Sequence, residues 1–400
     1  MSTLPPQRGA APVGVRTVEL RDETREGRTL PIEVWYPADE AHRGQDFEPA
    51  HMDRFEVVPG FPEVAQHAVR DARPAEGPFP LVAFSHGATS HRRSASHLLT
   101  HLASHGYVAA SADHVGNTLP DFFHDLTTGA ASGEGRLVNM FESAADRPRD
   151  VVQLLDAVLG GADPALAGLA DAERVGTCGV SFGGWTSLHV NSIDPRPRAS
   201  FPIVPAWGPG PLKTEQLSNL VRLDDWGRAV PTCVLAAERD ALVMLPALRD
   251  LHAKLAGPKQ LAVLHNAGHV HFIDKPEERH EELRTAWSSN QLPIDDPEID
   301  FAAIAEASRP FSELCSADHA HEVVKALCLA HMDAHLKADA GAAAWLAGDP
   351  AADFTARGID VEIVDPRTIA PLDEDIIVNS AAKTGHCVVA DNDWSFSGFS

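Results

Sequence analysis

Cysteine, tyrosine and positive charge are scarce in this 400-residue chain, and each shortage excludes something. There are five cysteines, Cys178, Cys233, Cys315, Cys328 and Cys387, and none forms a CxxC pair. An odd count without that spacing argues against a disulfide framework, a zinc ribbon or a thioredoxin-like redox motif. Cys178 and Cys233 lie in apolar runs and read as small core residues. Cys315 and Cys328 are the pair that an oxidising compartment would join. Lysine and arginine number 33 against 57 acidic residues, for a net charge of −24. Such a surface repels nucleic acid and anionic lipid, so neither is expected as a partner. No run approaches the roughly 18 apolar residues of a membrane span. The opening "MSTLPPQRGAAPVG" has no apolar core of a secretory signal; it reads as a flexible tail over residues 1–14, and a cytoplasmic location is expected. What remains is a globular composition, 44% hydrophobic, long enough for one large domain or two ordinary ones.

The pattern along the chain is one of short apolar strands alternating with amphipathic helices. "RTVELRDE" and "RTLPIEVWYPA" flank a polar turn at Gly27 and predict two antiparallel strands, Arg16–Asp22 and Thr29–Tyr36. Residues 39–77 read as an irregular insertion with a short helix at Pro62–Arg70. "PFPLVAFSHG", "GYVAASADH", "RVGTCGVS", "RASFPIVPA", "PTCVLAAERD" and "KQLAVLHNAGH" each predict a buried strand. Helices are predicted between them, at Ser94–Ser104, over "RPRDVVQLLDAVLG" up to the Gly160-Gly161 stop, at Gly183–Asn191 and over "LPALRDLHAKLAG", with a last long one at His319–Lys337. Continuous apolar strands joined by helical crossovers imply an α/β protein: a mostly parallel central sheet, antiparallel at its N-terminal end, with helices on both faces. The main domain is expected over residues 15–350, with insertions near 39–77, 119–142 and 275–315.

The chemistry centres on "GVSFG". Gly-x-Ser-x-Gly between a strand and a helix puts the serine on a sharp turn, with glycines where backbones must approach closely. A glycine-rich turn without chemistry is the competing reading of Ser181. It loses ground because an acid and a base follow in the order Ser–acid–His, each at the end of a predicted strand. "CVLAAERDAL" offers Asp240, preferred over Glu238, which sits nearer the strand. "VLHNAGHVHFID" offers His269, with His271 as rival; His265 falls inside the strand. "FSHGATS" supplies a tight turn at His86-Gly87. The N–H groups of Ala88 and Phe182 would then be the oxyanion donors.

These pieces, "LPIEVWYPA", "PLVAFSHG", "SADHVGNT", "GVSFGG", "AAERDAL" and "GHVHFID", stand in one order over residues 15–340 and resemble the platelet-activating-factor acetylhydrolase and dienelactone-hydrolase-like branch of the α/β-hydrolases. The resemblance implies the α/β-hydrolase fold, Ser181 as nucleophile, Asp240 as acid, His269 as base, and Ala88 with Phe182 as oxyanion donors. It implies a serine esterase that needs no cofactor and acts on a small-molecule or polymeric ester, acetyl esters of lipids and polyesters included. Two letters depart from the pattern. Val180 stands where many relatives carry His, and dienelactone hydrolases proper have a cysteine at the position of Ser181, so ester chemistry is favoured. The alternative is a catalytically idle α/β-hydrolase fold serving as a binding module.

Other signals weigh less. His97, His101 and His105 recur at helical spacing, as do His331 and His335, but no HExxH accompanies them; they read as polar helix faces and no metal is expected. His86, Gly87, Asn117 and Trp207 are candidates for substrate contact. Asn117, in "DHVGNT", reads equally well as a loop-stabilising residue, and Trp207 and Trp226 equally well as core. Finally, "GIDVEIVDPRTIAPLD" and "KTGHCVVADN" resemble the start of the transketolase-like C-terminal domain of 2-oxo-acid dehydrogenase E1 beta subunits. They predict a short β-α-β appendage over residues 356–400, with elements at Asp360–Val364, Glu374–Thr384 and Cys387–Ala390. The part that contacts thiamine diphosphate in such subunits lies outside this stretch, so that chemistry is not expected of it.

Overall fold

The computed structural model describes residues 7–128, 143–223, 226–288 and 299–364. One sheet of eleven strands, in the order β11-β10-β9-β8-β7-β5-β6-β2-β1-β4-β3, runs through it. β1 (Val13–Asp22) and β2 (Arg28–Pro37) form the expected hairpin, in register from Val13 opposite Pro37 to Asp22 opposite Arg28. β2 pairs antiparallel with β6 (Val108–Ala112). From there β5 (Phe79–Ser85), β7 (Ala170–Val180), β8 (Pro197–Ile203), β9 (Thr232–Ala237) and β10 (Lys259–Leu264) continue in parallel. These strands are covered on both faces, which is why they read as unbroken apolar runs.

One face carries α1 (Ser96–Ser104), which packs against a long helix, Ala317–Leu336, that also contacts β7 and β8. The other face carries Arg147–Leu159, labelled α3 after α2 (Leu119–Thr128), then α4 (Phe182–Ile193) and α5 (Leu245–Lys254). Further helices are α6 (Pro276–Ser288), α7 (Phe301–Ala307), the long α8 just given, α9 (Ala340–Ala347) and α10 (Pro350–Thr355), beside a single turn at Glu215–Ser218. Strand order reverses around β5: β6 lies on one side of it and β7 on the other. A crevice at the carboxyl ends of β5 and β7 is therefore the topological place for a site.

Two sequence expectations change. The stretch expected as a helix at Pro62–Arg70 is a strand, β4 (Val64–Arg70), paired antiparallel with β3 (Met52–Phe55). Its buried positions are Gln66 and Ala68, so a polar residue interrupts the apolar alternation that marks a strand. Gln66 is satisfied there, accepting from Trp35 Nε1 at 2.8 Å and donating to Asp53 at 2.7 Å. Of the histidines expected on polar helix faces, His97 and His101 on α1 and His331 on the long helix turn inward, while His105 is half-buried and His335 stays exposed. His101 and His331 are buried, and His97 stacks on His321 at 3.7 Å with its Nδ1 2.7 Å from Asp274. Two helices that pack together leave little solvent between these rings, and among the described residues no group of three candidate ligands could hold a metal. Cys178, Cys233 and Cys328 are buried and lie outside any disulfide, and Cys315 is half-buried and likewise outside one. Cys315 and Cys328 are therefore not joined, and Cys387 lies outside the described residues.

The start of the C-terminal segment is built into the main body. β11 (Val361–Val364) pairs antiparallel with β10, from Leu261 opposite Val364 to Leu264 opposite Val361. Trp345, Leu346, Phe354, Ile359 and Val361 belong to the same core cluster as α1 and α8. The helix and strand expected at Glu374–Thr384 and Cys387–Ala390 lie outside the described residues.

Phe354 is 1% exposed. Phe354→Ala should lower the free energy of unfolding by about 3–5 kcal/mol, read by denaturant titration, because a ring-sized cavity opens in the shared core. A loss below about 1 kcal/mol would show that this segment is peripheral.

Burial also sets an acid limit. Desolvation pushes His91 down to about 3, His114 and His271 to about 4, and His331 to about 3, from an ordinary 6.5. Between those values and 6.5 the unfolded chain binds more protons than the folded one. The stability carried by these neutral rings is therefore complete above 6.5 and is lost as the pH falls. The melting temperature should drop steadily between pH 7 and pH 5; a flat profile there would refute the buried, neutral state of these histidines.

Candidate active site

Ser181 sits between the last residue of β7 and the first of α4, with φ 58° and ψ −120°. A non-glycine residue at positive φ is strained and persists only where its surroundings enforce it. Here they do. The Ser181 N–H donates to Ile203 O at 2.9 Å, and the Ser181 carbonyl accepts from Trp185 and Ala206 at 3.1 and 2.9 Å. The flanking glycines let the strand, the turn and the helix close on one another. A Cβ on Gly183 would lie 1.8 Å from Ser85 O, and one on Gly179 would lie 2.3 Å from Gly183 O. As the first residue of α4, Phe182 contributes one of the N–H groups that a helix leaves unpaired at its start.

The loop after β9 brings Asp240 to the turn after β10 that carries His269. His269 Nδ1 lies 2.7 Å from Asp240 Oδ2, and the other oxygen, Oδ1, accepts the N–H groups of Leu242 and Val243 at 2.8 and 2.9 Å. Both residues are 9% exposed. The rivals are occupied elsewhere. Glu238 accepts the Asn266 N–H and lies 3.6 Å from His265 Nδ1. His271 accepts the Gly268 N–H on Nδ1, contacts Cys315 O through Nε2 at 3.2 Å and stacks on Phe311. Ser181, His269, Gly87 and Ala88 line a single cavity of about 530 Å³. Its walls are largely apolar, among them Phe55 and Val64 from the β3–β4 hairpin, Phe122 and Phe123 from α2, Trp287 from α6 and Phe301 from α7.

Against this geometry the comparisons fall into two groups. The family model for platelet-activating factor acetylhydrolase, isoform II, matches residues 63–120, which hold β5, α1 and the His86-Gly87 turn. A ferulic acid esterase from Streptomyces cinnamoneus superposes with a TM-score of 0.55 over 82% of this chain and 91% of that one, at 22% identity. The fold is that of the α/β-hydrolases. The second group concerns the C-terminus alone. The family model for the transketolase C-terminal domain matches residues 341–400. Two curated relatives align there: the beta subunit of acetoin:2,6-dichlorophenolindophenol oxidoreductase from Bacillus subtilis (strain 168), 44% identical over 43 residues, and the pyruvate dehydrogenase E1 component subunit beta from Rickettsia bellii (strain RML369-C), 45% identical over 53. These alignments cover 11% and 13% of this chain, and 13% and 16% of the relatives' own lengths.

Within this fold the sequence-nominated contact residues divide. Gly87 lines the cavity; His86, Asn117 and Trp207 do not and lie buried behind it. Trp207 and Trp226 belong to the core cluster beside α4. The "DHVGNT" loop is stabilised from the first turn of α2, Asp121 accepting the N–H groups of Gly116 and Thr118 at 2.8 and 3.0 Å. No helix of the described residues is long and apolar enough to cross a membrane.

The sequence reading missed a polar network directly behind the turn after β5. Ser85 Oγ lies 2.9 Å from His114 Nε2, and His114 Nδ1 lies 3.0 Å from Asp150 Oδ2. This is a second Ser-His-Asp arrangement. Ser85 and His114 are 1% exposed and Asp150 0%, and none lines the cavity, so no substrate reaches it. Burial would raise the Asp150 carboxyl, but His114 and Arg28 hold it well below the usual carboxylate range. Arg25 and Arg28 pair with it at 2.7 and 3.0 Å. Beside it Arg147, the first residue of α3, is wholly buried, and burial brings its guanidinium down to about 9. Asp150 lies one helical turn after Arg147, a spacing visible in "RPRD", but nothing in one sequence marks that pair as buried.

The glycine requirement is testable. Gly183→Ala should cost about 3 kcal/mol or more, because its Cβ has only the backbone of Ser85 to displace. Gly87→Ala, whose Cβ would meet Ser181 Cβ at an ordinary 3.6 Å, should leave the melting temperature within a few degrees. Equal effects of the two would refute the close approach of α4 to β5.

Proposed function

We propose that this chain is a serine hydrolase of carboxylic esters working through an acyl-enzyme. The observation that carries the reading is the shared cavity: a strained strand-to-helix serine and a histidine bonded to a buried aspartate both open onto it. The similarity to a platelet-activating factor acetylhydrolase family model and to a ferulic acid esterase supports the same chemistry.

In this reading Asp240 accepts the Nδ1–H of His269, which leaves Nε2 as the base. Ser181 Oγ attacks the ester carbonyl and His269 takes its proton. The carbonyl oxygen becomes an oxyanion held by the N–H groups of Ala88 and Phe182. Collapse expels the alcohol, which leaves with the proton from His269. Water then attacks the acyl-enzyme by the same route and releases the acid. Every step uses side-chain and backbone groups of the chain.

The large apolar cavity supports esters with a bulky apolar group over acetates. Arg93, Lys275 and Arg279 line it but are paired with Glu33, Glu278 and Glu282, so a neutral partner suits them better than an anionic one.

The test is turnover of p-nitrophenyl esters with peptide mapping after an organophosphonate probe. Ser181→Ala should lower kcat on the order of 10⁶-fold, and Asp240→Asn on the order of 10⁴-fold. The adduct should sit on Ser181 and not on the buried Ser85. From acetate to octanoate kcat/KM should rise about tenfold or more. A protein that neither turns over esters nor takes the label is an idle binding fold, and a Ser181→Ala variant with full activity moves the nucleophile elsewhere.

A further inference from the structure

The α/β-hydrolase elbow and its acid-base pair do not use Arg147, yet this residue carries the most costly placement near the site. Its guanidinium is 0% exposed and has no carboxylate partner in an ion pair among the described residues. The nearest acid, Asp150, is taken by Arg25, Arg28 and His114. A buried charge held mainly by neutral groups is expensive, so a role other than stability is worth seeking.

Its contacts define that role. Nη2 donates to His86 O and, at 3.5 Å, to Gly87 O. Nη1 donates to Asn117 Oδ1 at 3.2 Å. The guanidinium carbon lies 4.3 Å from the centre of the Phe182 ring. The His86 ring completes the arrangement. The His114 N–H donates to His86 Nε2 at 3.1 Å, which puts the ring proton on Nδ1, and Nδ1 donates to Gly87 O at 2.7 Å. The Gly87 carbonyl is thus held from two sides, toward the interior. A trans peptide is planar with its C=O and N–H opposed, so fixing Gly87 O inward turns the Ala88 N–H outward, to the cavity side. Gly87 lies against the nucleophile there, its Cβ position being 3.6 Å from Ser181 Cβ.

We propose that Arg147 is a positioning residue for the oxyanion pocket: one guanidinium fixes the peptide that presents the Ala88 N–H and seats the residue that presents the Phe182 N–H. It touches no substrate. Its charge also lies behind both donors, where it favours the negative oxygen formed in the transition state. The inference rests on the ester-hydrolase reading above.

Arg147→Lys keeps the charge but loses the planar fork, and Arg147→Met loses both. Each is compared with the unaltered protein on one p-nitrophenyl ester and with the matching trifluoromethyl ketone. That ketone bonds to Ser181 Oγ, passes the Oγ proton to His269 and leaves an oxyanion in the pocket. Loss of one oxyanion donor costs about 10²–10³ in kcat, so Arg147→Met should lose on that order, with KM within about twofold. Its affinity for the ketone should weaken by a similar factor, while its affinity for the product acid stays the same. Arg147→Lys should fall between the two. Phe182→Leu, which keeps the backbone donor but removes the ring under the guanidinium, gives a second route if Arg147→Met does not fold; it should lower kcat about tenfold or more at constant KM. Folded Arg147→Lys and Phe182→Leu with unchanged kcat and ketone affinity would overturn the assignment, as would a loss confined to KM. If the unaltered protein itself neither hydrolyses esters nor takes a phosphonate on Ser181, the esterase reading fails instead, and the two failures are told apart.

Discussion

The site depends on a place where no side chain fits. Gly183, in the first turn of α4, lies so close to the carbonyl of Ser85 that any Cβ would overlap it. This contact joins the end of β5 to the start of α4 across the neighbouring strand β7. It fixes the distance between the turn that carries Ala88 and the elbow that carries Ser181 and Phe182. The positive φ of Ser181 is the backbone cost of that approach, held by hydrogen bonds to Ile203, Trp185 and Ala206. With α4 further away, the elbow and the turn after β5 would no longer be held at this separation.

Behind the contact lies a layer of buried polar groups that the apolar strands alone could not organise. Asp150 gathers Arg25, Arg28 and His114, linking the β1–β2 hairpin to α3 and to the loop after β6. On the hairpin's other side Glu33 gathers Arg70, Arg92 and Arg93 at 2.7, 3.3 and 2.7 Å. Burial would raise Glu33, but the surrounding guanidinium groups keep it below its usual value. A buried carboxylate is tolerable only when its lone pairs are filled in this way, and removing one partner leaves a stranded charge. The two clusters therefore tie the β1–β2 hairpin to α3, to the loop after β6, to β4 and to the turn before α1.

The described start of the C-terminal segment, which resembles a transketolase C-terminal domain, shares the sheet and the core of the rest of the chain. Its first strand finds the free edge of β10, and its apolar side chains, Trp345, Leu346, Phe354 and Val361, join the core of α1 and α8. Edge pairing and burial require only alternation and apolar area, not a shared ancestry of the two surfaces.

Much of this was legible in the letters. The parallel strands read directly, because a sheet covered on both faces needs continuous apolar runs, and so did the β1–β2 hairpin and the long helix before residue 337. Ser181, Asp240 and His269 could be nominated because each follows a strand, and strand ends are where such sheets gather polar groups. Residues 52–70 misled, because Gln66 occupies a buried position that pattern reading assigns to an apolar residue. His97, His101 and His331 misled for the matching reason: spacing along a helix says which residues share a face, not what that face meets. By itself the sequence determined the succession of parallel strands and the helices between them, since those follow from local periodicity and turn chemistry. Only the tertiary structure decided that Asp240, not Glu238, meets His269, that Ser85-His114-Asp150 is sealed from the cavity, and that Arg147 reaches the carbonyls of His86 and Gly87 and the ring of Phe182. Those are contacts between residues dozens of positions apart, and distance in space is fixed by packing, which no single stretch of sequence records.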